Sequence, residues 1–436
     1  MRVSELVQEP ARRQRLIHPA WWVALATFLS VVCAAGVRSM PGVLIEPLHA
    51  EFGWSLGTIS LAMSINLVLF GLTAPFAAAL MERLGVRSVV TGALLLVASG
   101  CGLSVFVTAP WQLVLCWGVI IGTGTGSMAL ALVATVVGRW FVSRRGLVSG
   151  VLTAASATGQ LIFLPTIAAL AERVGWRAAA LAVAGAALLV IPFVLVLLRD
   201  RPADLGLLPY GGTEADVLAP PSRSGRRTGP ARVAVGALTG AARTRPFWLL
   251  AGGFMICGAT TNGLVQSHFV PAAADHGMPM TTAASLLALV GLFDLVGTVA
   301  SGWLTDRFDP RMLLVAYYGL RGVSLALLGP LFGADLNASM LSFVIFYGLD
   351  WVATVPPTMA LCREIFGPSS AVVFGWIYAS HQIGAGIAAL AAGLVRDHFG
   401  SYTPAWVGGA ALCLIGALLS VLIKRRAVAA DPLVLG

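Results

Sequence analysis

Lysine is nearly missing from this chain. Lys424 is the only one, and Asp, Glu, Lys and Arg together make up 11% of its 436 residues. Soluble domains carry about 25% charged residues, so this scarcity excludes one large water-soluble core. Cysteine lacks a pattern: Cys33, Cys101, Cys116, Cys257, Cys362 and Cys413 lie within or at the ends of apolar stretches, without metal-ligand or redox spacing. They read as packing residues. The run Gly122-Thr-Gly124-Thr-Gly126 has no lysine–serine pair and no flanking strand pattern, which excludes a phosphate-cradling loop. Neither a metal motif nor a nucleophile–base pair stands out. No catalytic residue, metal or cofactor is expected, and the chain does not read as an enzyme.

What is abundant is apolar. Hydrophobic residues reach 58% and the mean hydropathy is +0.87. Runs of about 20 residues, the length that crosses about 30 Å of hydrocarbon, recur from end to end. Twelve spans are expected, near 21–46, 56–81, 88–108, 111–136, 146–170, 177–198, 246–271, 282–304, 311–331, 338–362, 371–395 and 403–423. The first run is longer than a signal-peptide core and lacks a small-residue cleavage site. The net charge of +9 could suggest nucleic acid, but arginine in cytoplasmic loops accounts for it, and no nucleic-acid partner is expected. With alternating topology, 23 of the 28 basic residues fall on one side; Arg173, Arg177 and Arg396 fall on the other, and Arg38 and Arg321 lie within helices. This asymmetry predicts cytoplasmic termini in the inner (plasma) membrane.

The halves repeat. Gly302-Trp-Leu-Thr-Asp306-Arg307-Phe-Asp309-Pro-Arg311 has a fainter copy 224 positions earlier, Ala78-Ala-Leu-Met-Glu82-Arg83-Leu-Gly85-Val-Arg87. Glu172-Arg-Val-Gly175 recurs at an offset of 225 as Asp397-His-Phe-Gly400. The expected architecture is an all-α membrane protein with twelve transmembrane helices in two pseudo-symmetric six-helix bundles, 21–198 and 246–423. A cytoplasmic segment, 1–20, precedes them and a tail, 424–436, follows. The stretch 199–245, rich in Pro, Gly, Ser and Arg, is too polar to span and reads as a flexible cytoplasmic linker. Glycines such as Gly118, Gly122, Gly124 and Gly126 suit close helix approach in lipid. Pro356-Pro357 must break the hydrogen-bond ladder of the tenth helix.

These features resemble the major facilitator superfamily, whose loop signature is Gly-x-x-x-Asp-Arg-x-Gly-x-Arg. The second copy here fits except for Asp309 in place of the later glycine. The first carries Ala78 for glycine and Glu82 for aspartate. Gly175-Trp176-Arg177 is also typical. A narrower likeness is to the monocarboxylate-porter branch and its bacterial relatives. It rests on Trp140-Phe-Val-Ser-Arg144-Arg145-Gly146-Leu-Val-Ser-Gly150 and on Gly42-Val-Leu-Ile-Glu-Pro-Leu with Glu51-Phe-Gly-Trp54-Ser55. In animal members the eighth helix carries an aspartate with an arginine one turn later, and the first helix a lysine. Asp294 matches the aspartate; Thr298 stands at the arginine position, and the lysine position falls near Ser39, beside Arg38. The drug-antiporter signature, a Gly-Pro followed by a glycine pair, is absent from the stretch between Gly150 and Pro165. The resemblance implies gating latches at Glu82, Arg83 and Arg87 and at Gly302, Asp306, Arg307 and Arg311. Ordinary charged turns are the alternative.

A charge at mid-bilayer costs at least about 2.5–3.5 kcal/mol, so each needs a partner or a function. Asp294, Arg321, Asp350 and His381 lie about ten to twelve residues from a helix end, roughly 15–18 Å deep at 1.5 Å per residue. Asp294 is the leading proton-coupling candidate, against a carboxylate held permanently in an ion pair. His381 is the second, against a hydrogen-bonded structural histidine. Arg321 and Asp350 read as an intramembrane ion pair fastening two helices, with direct substrate contact by Arg321 as the competing role. Arg38 is a substrate-binding candidate as a fork for an anion, or an interfacial arginine snorkelling outwards. Asn66, Gln160, Asn262, Gln266 and Thr298 complete the substrate-binding set, with His268 as a further cavity donor; bonding between neighbouring helices is the plainer role for such groups. The expected function is a secondary active transporter, monomeric in the bilayer, that moves a small organic anion (monocarboxylate-like) with a proton by alternating access. The competing function is an exporter of amphipathic or drug-like compounds.

Overall fold

The computed structural model describes residues 18–128, 130–213 and 230–424. Among the described residues, twelve helices are long and apolar enough to cross a membrane. They are α1 (Pro19–Phe52), α2 (Leu56–Leu84), α3 (Val86–Ser104), α4 (Pro110–Trp140), α5 (Arg145–Arg173), α6 (Trp176–Leu197), α7 (Arg245–Ala274), α8 (Met280–Thr305), α9 (Pro310–Leu331), α10 (Ala338–Phe366), α11 (Ser370–Phe399) and α12 (Thr403–Val421). No strand occurs among the described residues. Several helices overrun the expected spans. α1 reaches Phe52, six residues past its expected end, and closes on Gly53, whose φ of 66° permits the left-handed cap. At the other end of α1, Ala20 N–H donates to His18 Nδ1 at 3.2 Å. Burial lowers the His18 pKa, which favours the neutral ring needed to accept that bond.

α1–α6 and α7–α12 form two bundles, and they meet along α2 against α11, α5 against α8, and α1 against α7. Small residues set the distance. A Cβ on Gly42 of α1 would lie 2.8 Å from the Gln266 carbonyl of α7, and one on Gly126 of α4 would lie 2.8 Å from the Phe70 carbonyl of α2. Backbones this close gain dispersion contacts that bulkier side chains would prevent.

The chain between the bundles departs from the flexible linker expected for 199–245. Its first part is pinned to the first bundle: Tyr210 N–H donates to the Trp140 carbonyl at 2.8 Å, Val142 N–H to the Tyr210 carbonyl at 3.0 Å, and Trp140 Nε1 to the Arg199 carbonyl at 3.2 Å. Asp200 Oδ1 accepts from Arg87 N–H at 3.1 Å, at the start of α3. Further on, a linker helix, Pro230–Ala241, packs on α2 and α11, with Trp376 Nε1 donating to the Ala234 carbonyl at 2.9 Å. Composition concealed this because backbone pairing and two tryptophans suffice to hold a polar segment. The Trp140–Gly150 marker thus closes the α4–α5 turn and anchors the linker; Arg144 lies in that turn with a positive φ of 58°.

Candidate functional site

Arg38 is nineteen residues into α1 and fourteen from its end. That puts it roughly 28 Å along the helix at 1.5 Å per residue, near the middle of the span rather than toward one face. It does not snorkel outwards. Its guanidinium carbon sits 4.7 Å from the centre of the Phe70 ring, and the side chain lines two cavities between the bundles. The larger, about 80 Å³, is walled by Val31, Ala35, Phe70, Met128, Leu152 and Tyr378 among others. The smaller, about 20 Å³, brings Arg38 together with Asn66, Asn262, Gln266 and Ser267. Arg38 has no hydrogen bond or ion pair among the described residues. A half-buried guanidinium without an acid, stacked on an aromatic face, keeps its donors available.

Local geometry explains the polar wall. Asn66 donates its Nδ2 to the Trp117 carbonyl at 2.6 Å, which fixes the amide at the cavity wall. Asn262 lies in a wide π-type turn, Ala259–Val265, where one extra residue per turn shifts the side chains relative to a regular helix. Of the expected substrate set, Arg38, Asn66, Asn262 and Gln266 converge. Gln160 and Thr298 lie elsewhere. Gln160 Oε1 packs in the α5–α8 seam, 3.3 Å from where a Cβ on Gly291 would sit, and Thr298 donates its hydroxyl to Asp294 Oδ1 at 3.0 Å. His268 is buried between α7 and α11, its Nε2 2.8 Å from the Ala389 carbonyl, and is a helix clamp.

A second cluster surrounds the break in α10. Helix stops at Asp350 and resumes at Val355, because Pro356 and Pro357 lack the N–H groups that would continue the ladder. Two neighbouring helices, α8 and α9, satisfy the freed backbone. Val352 N–H donates to Asp294 Oδ1 at 3.0 Å, and Ser301 Oγ donates to the Ala353 carbonyl at 2.5 Å. Arg321 Nε reaches Asp350 Oδ2 at 2.6 Å, while its Nη2 reaches the Asp350 and Trp351 carbonyls at 2.6 and 3.2 Å. Cys257 Sγ lies 3.1 Å from both Arg321 Nη1 and Thr354 Oγ1. Arg321 is fully buried, so its donors are committed to the break rather than to either cavity. Asp294 is half-buried beside the same break and lines neither cavity.

His381 is buried between Phe254 (ring centres 4.9 Å apart) and Tyr378 (5.7 Å, nearly parallel), one ring behind the larger cavity. Its Nδ1 has no hydrogen-bond partner among the described residues. α7 comes so close that a Cβ on Gly258 would collide with the His381 carbonyl.

The signature loops make same-bundle contacts. Arg307 lies over the Trp303 ring at 4.0 Å and donates to the Trp303 carbonyl. Asp309 caps α9 through Arg311 N–H at 2.9 Å and pairs with the Arg311 guanidinium at 2.6 Å. Arg83 is exposed, Asp306 ends α8, and a Cβ on Gly302 would meet open space. The side chain of Glu82 lies outside the described residues. At the opposite face Glu51 binds Trp176 Nε1 at 2.6 Å and Arg177 at 2.6 Å, so two of the sequence markers are one contact.

Comparisons with known proteins agree with this architecture. The model of the Major Facilitator Superfamily matches residues 27–372 and 257–434. Monocarboxylate transporter 13 of Rattus norvegicus is 28% identical over 403 residues, covering 91% of this chain and 87% of that protein. The uncharacterized MFS-type transporter YcxA of Bacillus subtilis is 24% identical over 414 residues, covering 93% and 94%. Among solved structures, the partially occluded inward-open xylose transporter XylE from E. coli superposes with a TM-score of 0.68 at 14% identity, covering 93% of this chain and 98% of that one. A bacterial homolog of the human lysosomal transporter Spinster, inward-facing and occupied, gives 0.70 at 16% identity, covering 92% and 96%. Twelve spans, a cavity between two bundles and a family match along most of the chain carry one conclusion: this protein is a multi-pass membrane transporter and belongs to the Major Facilitator Superfamily.

Proposed function

We propose that the protein carries a small organic anion, monocarboxylate-like, across the inner (plasma) membrane by alternating access, with a proton as the coupled ion. The termini face the cytoplasm in this reading, which rests on the placement of basic residues. The observation that carries it is Arg38: a cation at mid-span, between the bundles, lining both cavities and without an acid partner among the described residues. Leaving a charge there is costly unless a ligand of opposite sign visits it. Asn66, Asn262 and Gln266 add neutral donors that orient a carboxylate without repelling it.

Asp294 is the proton-binding residue in this reading, with His381 as the second candidate. Its Oδ1 holds Val352 N–H, and a neutral carboxyl holds an N–H less strongly than a carboxylate does. Gaining a proton therefore loosens the α10 break, and losing it tightens the break again. Occupancy of the proton site is passed to a helix discontinuity, the kind of element that two-state transporters move. The loops at Glu82–Arg87 and Asp306–Arg311 act as latches that engage in the outward-facing state.

The test is uptake into proteoliposomes of short carboxylates, aromatic acids and cationic dyes, with and without a proton gradient, for wild type and Arg38→Gln. One class of carboxylate should accumulate with the gradient, and Arg38→Gln should weaken its apparent affinity about 10- to 100-fold, the loss expected for charge-assisted hydrogen bonds. Dye transport that tolerates Arg38→Gln would instead establish the exporter of amphipathic compounds.

A further inference from the structure

The strongest unassigned feature is a pair of acids exchanged between the bundles. At the face opposite the termini, Asp397 at the end of α11 accepts two backbone N–H groups from the start of α2: Leu56 at 2.9 Å and Gly57 at 2.7 Å. At the same face, Glu172 at the end of α5 accepts Thr281 N–H at 2.9 Å, at the start of α8, and also takes the Thr281 hydroxyl. Glu172 and Asp397 are 225 positions apart, as are Leu56 and Thr281. Each bundle therefore caps a helix of the other with the equivalent acid. Among the described residues these are the only side-chain hydrogen bonds that join the two bundles directly.

The first N–H groups of a helix have no partner within it, and the N-terminus carries partial positive charge, so a carboxylate there is held by both effects. For α8 the dependence is greater. Its own capping position is Pro279, which has no side-chain acceptor, so Glu172 supplies what the sequence of α8 cannot. α2 has Ser55 for Thr58 N–H, and Asp397 adds the two N–H groups before it. Next to the caps, the bundles close on small residues. A Cβ on Gly57 would strike Leu394, and one on Gly393 would strike Ser60.

We propose that Glu172 and Asp397 are the gate residues that hold this face shut, and that breaking both caps is the step that opens it. Neither touches the cavities; they act by positioning the bundles. Opening must separate α2 from α11 and α5 from α8 at this end, and each separation exposes helix N–H groups that only water then satisfies. The symmetry lets the two caps release in one rigid-body motion about the interface.

The experiment measures the distance between spin labels at Ala50→Cys and His398→Cys, both exposed at this face in opposite bundles, in the full chain in nanodiscs. It compares the parent with Glu172→Ala, Asp397→Ala, the double variant, and the milder Glu172→Gln/Asp397→Asn pair. Each single alanine should raise the ratio of long to short distances about fivefold, the size of one side-chain cap, and the double variant about 25-fold. The amide pair, which keeps an acceptor but loses the charge, should fall between parent and double alanine. The readout needs no substrate, so it stands apart from the identity of the anion. If folded single variants, or the folded amide pair, keep the parent distribution, the gate assignment is wrong.

Discussion

The two bundles share a helix plan but differ in where they keep their charge. Arg38 in α1 and Asn262 in α7 stand 224 positions apart, as do Phe70 in α2 and Asp294 in α8. The first bundle has a cation over an aromatic ring, open to both cavities. At the same two places the second bundle has an amide on the cavity wall and an acid turned to the α10 break. Where the halves must close on each other, at Glu172 and Asp397, they keep the same device. The contrast follows from the tasks. Two equal bodies are best closed on each other by two equal contacts, whereas the proposed site uses one cation and so needs unequal half-sites. Sequence symmetry accordingly survives at the two exchanged caps and fails at the centre.

The largest effect should come from the second bundle's buried pair. Arg321→Met leaves Asp350 buried without its guanidinium, and removes a donor from the Asp350 and Trp351 carbonyls of the α10 break. Removing one partner of such a pair costs about 3–5 kcal/mol. Detergent-solubilised Arg321→Met should melt well below wild type, and Arg321→Met/Asp350→Leu should recover part of the loss. A single variant as stable as the parent would mean that water already satisfies the break.

Asp294→Asn sharpens the comparison with a smaller structural effect. An asparagine still offers an oxygen to Val352 N–H and Thr298, so folding should change by about 1 kcal/mol or less, the difference between a charged and a neutral acceptor. Function should change more. Proton-driven accumulation should vanish while anion exchange, which needs no net proton movement, continues. If accumulation persists in Asp294→Asn, the acid only supports the α10 break, and the proton site must be sought at His381.

The spans, the repeat and the family were legible in the sequence because each rests on patterns along the chain. Hydropathy marks lipid-facing helices whatever they pack against, and a 224-residue offset survives any rotation of the helices. Helix ends were less legible. α1 was expected to stop at 46, yet Glu46 and Pro47 lie within it and Glu51 finds Arg177 beyond. The direction of Arg38 could not be read at all, since α1 is apolar on every side and gives no periodicity to orient it. Arg321 and Asp350 were readable as neighbours in depth. The partners of the α10 break were not, because Asp294 and Val352 are 58 positions apart and meet only where two prolines open the helix. Asp397 and Glu172 were visible as a repeat but carried no role, as a cap supplied by another bundle leaves no trace beside the helix it caps.

The smallest effect expected here concerns Asp309, where the chain departs from the glycine of its family's loop signature. Its carboxylate does two things at once: it caps α9 through Arg311 N–H and holds the Arg311 guanidinium, which is only about a third exposed. A latch needs Arg311 free to reach another partner when the bundles rock, so the local pair competes with the latch. Asp309→Gly removes the competitor. It should cost about 0.3 kcal/mol through the lost cap, since glycine is a tolerable capping residue, and little through the ion pair, which is partly solvated. Meanwhile the outward-facing state should gain, by a few-fold at most. The same pair of labels used for the gate reads this directly. A modest rise in the long distance, with a slightly lower melting temperature, is the expected outcome. An unchanged distribution would mean that Arg311 has no partner waiting in the other state, and that in this bundle the signature loop is only the start of α9.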